Sequence, residues 1–232
     1  MNKIKCIVGR EEIAKYAVNI MDENGDLDFS FSDIRNRYRI SAGKLYRCFP
    51  SKSELLAYIY YKTLSEFFDI TKDFHRYQLT TKEKIACLAC LQIFVRGIFP
   101  DRTGIDILST NKFVFDNASD SILEDLNKLI SNIQKFRFSQ FVEAVNSGEL
   151  IATEEEIKLV LKHLALISRG SLFISRHIFL SDKKSSIFEL MDFCDVAMNQ
   201  LEWSSANYSI DHNKVLLAMR TMIDRKGNSF IR

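Results

Sequence analysis

Apolar residues recur at three- and four-residue spacing along most of the chain, the period of an amphipathic helix. Between Arg10 and Asn24, Ile13, Ala17, Ile20 and Met21 mark one stripe, and Gly25 stands where a helix C-terminal glycine belongs. Ser30 or Ser32 can cap a short second helix through Tyr38, with Asp33 near its positive end and Ile34 as its buried residue. Ser41 opens a third helix that reaches only about Cys48, because Pro50 disfavours helical geometry at Phe49.

The later helices carry their own start signals. Ser51-Lys-Ser-Glu54, Thr80-Thr-Lys-Glu83 and Thr153-Glu-Glu-Glu156 are capping boxes, in which a hydroxyl and a carboxylate three residues apart satisfy each other's backbone N–H groups. They introduce a long fourth helix with Leu55, Leu56, Ile59, Leu64, Phe67 and Phe68, a helix reaching about Gly97 before Pro100, and a helix with Ile157, Val160, Leu161, Leu164 and Ile167. Another long helix runs from near Ser119 to Ser147 with Gly148 as its stop. Ser185 or Ser186 starts a stripe of Ile187, Leu190, Met191, Cys194, Ala197, Met198 and Leu201, followed by a short helix from Asp211 to Lys226 before Gly227. No segment needs to be a strand.

Composition agrees. Of 232 residues, only two are proline and eight glycine, too few turns for a many-stranded sandwich or barrel, so an all-α fold is expected. With 47% hydrophobic and 27% charged residues the chain is an ordinary globular one. The densest apolar run, from Leu159 to Leu180, is broken by Lys162, His163 and Arg169, which excludes a membrane span. Without a signal-peptide pattern the chain is expected in the cytoplasm, its five cysteines reduced.

The formal charge of +2 conceals a local imbalance. Residues 1 to 60 hold ten Lys and Arg against eight Asp and Glu, and the rest is neutral. Ile34 to Ser53 carries Arg35, Arg37, Arg39, Lys44, Arg47 and Lys52 and no acid. Three short helices ending in such a basic segment suggest a helix-turn-helix, whose second helix enters the DNA major groove.

The run from Phe31 to Leu56 resembles the DNA-binding signature of the TetR family of bacterial transcriptional regulators. Ser32, Asp33, Ile34, Ile40, Ser41, Gly43, Leu45, Tyr46, Phe49, Ser51, Lys52, Leu55 and Leu56 fall in its register without a gap. The departures are Arg35, where the family usually has Ala, and Arg39, where it has Gly in the turn. A left-handed backbone at Arg39 would cost about 1 kcal/mol relative to Gly.

Ser32 and Ser41, at helix N-termini, suit phosphates. The resemblance implies that Lys44, Tyr46 and Lys52 touch the sugar-phosphate backbone. Ala42, Gly43 and Arg47 approach base edges, Arg47 able to fork onto guanine. Arg35 and Arg39 either add backbone contacts or form a solvated basic face. Ile34, Ile40, Leu45 and Phe49 are core.

The resemblance further implies a DNA-binding domain over 1–56 and a helical effector-binding and dimerisation domain over 57–232, paired as a two-fold homodimer through helices near 154–180 and 186–203. The stripes at Ile157 to Ile167 and Ile187 to Leu201 would supply a four-helix interface. Fifteen of the eighteen phenylalanines follow residue 60. Phe94, Phe113 and Phe141, with His163 as a polar group, are the candidates to line a pocket for an apolar or aromatic effector. The family's habit implies repression of a pseudo-palindromic operator and release by the ligand. A chromosome-binding structural or division-control protein of the same fold, without an inducer, is the alternative.

Enzyme motifs are absent: there is no Gly-x-Ser-x-Gly, His-Glu-x-x-His or phosphate loop. Cys87-Leu-Ala-Cys90 lacks the second pair that a zinc site needs, so buried thiols are expected, with no metal and no cofactor.

Overall fold

The computed structural model describes residues 2–24, 29–72, 74–98, 105, 108–176, 179–180, 185–204 and 209–225, with backbone only for 2–8, 75 and 176. Among them are ten α-helices: α1 (Asn2–Asn24), α2 (Phe31–Tyr38), α3 (Ala42–Cys48), α4 (Lys52–Thr71), α5 (Thr81–Ile98), α6 (Lys112–Asp116), α7 (Asp120–Asn146), α8 (Glu154–Arg176), α9 (Ile187–Met198) and α10 (His212–Arg225). The fold is all-α. The expected stops at Gly25, Pro100 and Gly227, and the end near Lys226, lie outside the described residues.

Local chemistry explains most boundaries. Ser30, rather than Ser32, caps α2 in a full box with Asp33. Its hydroxyl accepts from the Asp33 N–H at 3.2 Å and its own N–H donates to the Asp33 carboxylate at 2.6 Å. Thr80 with Glu83, Thr153 with Glu156 and Ser186 with Glu189 form the same reciprocal pair at the starts of α5, α8 and α9. Gly148, at φ +76°, closes α7 with the Glu149 N–H donating back to the Ala144 carbonyl at 2.9 Å, a left-handed stop that favours glycine. At Ser51 only half of the expected box forms. The Glu54 N–H donates to the Ser51 hydroxyl at 3.1 Å, but the Glu54 carboxylate is taken by Arg10 and Ser119.

Two expectations about where elements lie need correction. Helix α1 starts at Asn2, upstream of Arg10. The expectation of no strand gives way to a two-residue antiparallel pair, Leu150–Ile151 with Glu202–Trp203, in register Leu150 to Trp203 and Ile151 to Glu202. It forms where the chain leaves the Gly148 stop.

The described residues fall into two compact units, one from 1–66 and 99–129, the other from 67–98 and 130–227. The domain boundary expected after residue 56 therefore falls within α4, a single helix.

In the first unit α1, α2 and α3 pack on one another. Their core holds Ile13, Ala17, Ile34, Ile40, Leu45 and Phe49, all buried. Tyr16 of α1 stacks on Tyr38 of α2 with centroids 3.9 Å apart. The Arg10 guanidinium lies over the rings of Phe49 and Tyr58 at 4.8 and 4.7 Å.

The second unit is organised around α5, which packs against α8, α9 and α10. Cys87 and Cys90 are buried on α5, and the Cys90 and Cys194 sulfurs lie 3.9 Å apart. Lys82, fully buried at the start of α5, pairs with Asp195 at 2.9 Å and donates to the side chain of Asn199. Beside it Glu83 accepts from Lys214 of α10 at 3.0 Å. A buried charge is tolerable only with such partners. The α9 stripe read as a dimer face is core instead: Leu190, Met191, Cys194, Ala197, Met198 and Leu201 are all buried within the protomer. So are Ile157, Val160 and Leu164 of α8, because α5, α8 and α9 cover one another's apolar stripes. No helix among the described residues is long and apolar enough to cross a membrane.

Candidate nucleic-acid interface and effector region

Helices α2 and α3 are joined by the turn at Arg39 and Ile40. Arg39 adopts φ 54°, ψ 40°, the left-handed conformation, and its N–H donates to the Arg35 carbonyl. This sharp turn lets Ile40 bury itself while Ser41 emerges as the N-cap of α3, its hydroxyl accepting from the Lys44 N–H at 3.2 Å.

Helix α3 has two faces. Leu45 and Cys48 point inward. Gly43, Lys44, Tyr46 and Arg47 are exposed and Ala42 is half-buried, so the five expected recognition-helix residues share the outer side. A side chain at Gly43 would meet no protein atom within 4 Å, so packing does not demand glycine there. Its consequence is bare backbone on the outer face. Tyr46 meets Phe31 of α2 edge to face at 5.3 Å, which holds its ring in place.

The cations around α3 differ in what they already hold. Arg37 makes a forked ion pair with Glu23 of α1. Lys44 reaches Glu12 at 2.9 Å, and Lys52, half-buried, lies over the Phe29 ring at 4.5 Å. Arg35, Arg39 and Arg47 are exposed and make no side-chain hydrogen bond or ion pair among the described residues. Ser32 is exposed beside them on the first turn of α2. Sequence reasoning missed this distinction, since the acids that occupy Arg37 and Lys44 lie on α1.

The expected effector residues lie on four different helices. Phe113 is 72% exposed on α6, in the first unit. Phe141 is fully buried on α7, Phe94 is half-buried on α5, and His163 lies on α8. His163 borders a shallow groove with Leu166, Ile167, Phe193, Val196, Ala197 and Gln200, and its Nδ1 is buried without a hydrogen-bond partner.

A different cleft in the second unit contains none of the four. Its walls are Ile85, Leu88 and Ala89 of α5, Arg137 of α7, and Leu161, Leu164, Ala165 and Ser168 of α8. The Ser168 hydroxyl donates to the Ala89 carbonyl at 2.6 Å, closing one end. No cluster of three metal-ligating side chains occurs among the described residues.

A second apolar stripe is exposed on α8 and α9. On α8, Leu159, Leu166 and Phe173 are 51 to 62% exposed, and on α9, Phe188, Phe193 and Val196 are 44 to 66% exposed. They interleave with the buried stripes on the opposite sides of the same helices.

No protein-family model and no curated protein sequence matches the chain. Solved structures do. The fold is similar to the crystal structure of RolR in complex with resorcinol, at 15% identity over 94% of this chain and 95% of that one, with a TM-score of 0.51. It is similar also to a bacterial regulatory protein of the TetR family from Rhodococcus RHA1, at 10% identity over 85% of this chain and 98% of that one, with a TM-score of 0.55. The chain shares the fold of a TetR-family regulatory protein.

Proposed function

We propose that the chain is a TetR-type transcriptional regulator: residues 1–56 bind duplex DNA, and residues 57–232 bind a small effector and dimerise. The observation that carries this reading is the α2–Arg39–α3 turn, which presents Ala42, Gly43, Lys44, Tyr46 and Arg47 together while Leu45 and Cys48 anchor the helix from behind. A helix exposed in this way fits a major groove. Arg47 is the residue for a base edge, and Arg35 and Arg39, free of acids, join Ser32, Ser41, Lys44, Tyr46 and Lys52 at phosphates.

The exposed stripe of Leu159, Leu166, Phe173, Phe188, Phe193 and Val196 supports a two-fold dimer through α8 and α9. Two recognition helices then lie about one turn of DNA, or a multiple of it, apart and read a pseudo-palindrome. Repression relieved by ligand is the mode proposed, with α4, whose first turn carries Glu54 and the Ser51 cap, passing the change to the headpiece. A ligand can do this only by its differential affinity for the two states. RolR holds resorcinol, a small aromatic diol; a small aromatic or apolar compound is proposed for this chain.

A salt titration of duplex binding tests the reading. If a dimer neutralises about eight phosphates, affinity falls by about 10⁴ between 50 and 200 mM salt. Affinity independent of salt overturns it.

A further inference from the structure

Arg137 projects from α7 into a cleft whose other walls are apolar, among them Leu88, Leu161 and Leu164. Among the described residues it makes no hydrogen bond and no ion pair. Among the described residues the charge that acts on it is another cation, Arg169, one turn beyond Ala165 on α8. Arg169 itself is exposed and only reaches Gln92, at 3.5 Å.

Such a guanidinium is expensive. It keeps some access to solvent, yet it is deep enough that desolvation, aided by Arg169, pushes its pKa down to about 10. Elsewhere in this unit the buried cation Lys82 has its acid, Asp195. At Arg137 the five donors of a planar fork meet no acid among the described residues.

We infer that the α5–α7–α8 cleft binds a small monocarboxylate with an apolar body, its acid group forked onto Arg137 and its body against Leu88, Leu161 and Leu164. The inference rests on the effector-binding reading above and sharpens its chemical class from neutral to anionic. A forked guanidinium–carboxylate pair satisfies both partners in one plane, and a low-polarity wall strengthens it. The enclosed centre has room for little more than a water molecule, so the proposed binding requires the apolar side chains around it to move apart, which limits the occupant to a small one. Arg169 at the rim adds positive potential that draws an anion inward.

Calorimetric titration of the full chain, free of DNA, with benzoate, hexanoate, benzamide and hexanamide tests this. The expected result is that a carboxylate binds at least about tenfold more tightly than its amide, as expected for a charge-assisted pair. Benzoate over hexanoate marks an aromatic body, and the reverse an aliphatic one. Arg137→Leu removes an unpaired cation, so the variant folds, and it loses the preference for acid over amide. Ala165→Trp keeps Arg137 but fills the mouth of the cleft and loses all binding. Equal affinity for acid and amide overturns the anionic class while leaving the effector reading standing. No binding by either carboxylate, or carboxylate binding that survives both substitutions, overturns the site. Carboxylate binding that leaves duplex affinity unchanged keeps this inference and removes only the ligand-release mechanism.

Discussion

The main-chain N–H of Ser119 donates to a Glu54 carboxylate oxygen at 2.8 Å, and the Ser119 hydroxyl to the other at 3.1 Å. Arg10 of α1 donates to the same carboxylate at 3.0 Å. One buried acid thus joins α1, the first turn of α4 and the residue that opens α7. Glu54→Ala leaves Arg10 without its counter-charge and Ser119 without its acceptor, and is expected to cost about 3–5 kcal/mol. Glu54→Gln, which keeps the shape and an acceptor, costs about 1–3 kcal/mol. Urea unfolding measures both, and a double-mutant cycle with Arg10→Met gives the coupling. A coupling within about 0.3 kcal/mol of zero contradicts the clasp.

Arg39 pays for the turn between α2 and α3 with a left-handed backbone. Arg39→Gly relieves about 1 kcal/mol of strain and gives back a similar amount in unfolded-chain entropy, so stability stays within about 1 kcal/mol of the parent. Arg39→Val, β-branched in the same conformation, loses about 1–2 kcal/mol. Duplex affinity falls in both, since the charge is gone. A large loss of stability in the glycine variant, read by urea unfolding, would show that Arg39 is held by contacts rather than strained.

The exposed stripe on α8 and α9 separates association from folding. Leu166→Asp with Val196→Asp places charge on side chains 62 and 66% exposed, and is expected to yield a folded monomer by sedimentation, with helical circular dichroism retained. Leu190→Ala, in the buried stripe, instead costs about 2–5 kcal/mol of stability. A parent that sediments as a monomer, or a double Asp variant that sediments as a dimer, sinks the proposed α8–α9 interface.

Acid stability follows from carboxylates that fold into hydrogen bonds. Glu12 is held low first by Lys44 and then by the Tyr16 hydroxyl, Asp33 by the hydroxyl and N–H of Ser30, and Glu156 and Glu189 by the N–H and hydroxyl of Thr153 and Ser186. Each folded value lies below the unfolded one of about 4. Their contribution is therefore complete above that value and is lost as pH falls through the folded values. The melting temperature is expected to be flat from pH 7 to about 5.5 and to fall between about pH 5 and 3, less steeply in Glu12→Gln and Asp33→Asn. A flat profile down to pH 3 contradicts the assignment.

Much of this was legible from short-range chemistry. Ser41, Thr80 with Glu83, Thr153 with Glu156, and Gly148 mark helix ends by interactions within a few residues. The inward set of Ile34, Ile40, Leu45 and Phe49, expected from the register of the family resemblance, is buried. What depends on distant partners was not legible. Glu54 looks like half of a capping box until Arg10 and Ser119 arrive from elsewhere, and Arg37 looks as free as Arg47 until Glu23 is placed beside it. The α9 stripe shows that an apolar face needs a cover but not that α5 and α8 of the same chain provide it. An abundance of phenylalanine says nothing of which ring meets a cavity, and that Arg137 meets no acid among the described residues is visible only in the folded chain.

Selection of binding sites from a pool of random DNA duplexes by the full-length protein tests the central claim most directly. The expected product is a pseudo-palindrome with half-sites about one helical turn, or a multiple of it, apart. Arg47→Ala should lose the preference at one base pair in each half-site, with affinity lowered about 10- to 100-fold. Arg37→Ala, whose guanidinium is already committed to Glu23, should select the parent sequence. No enriched sequence, or the same sequence enriched equally by Arg47→Ala, would contradict recognition of DNA by the outer face of α3.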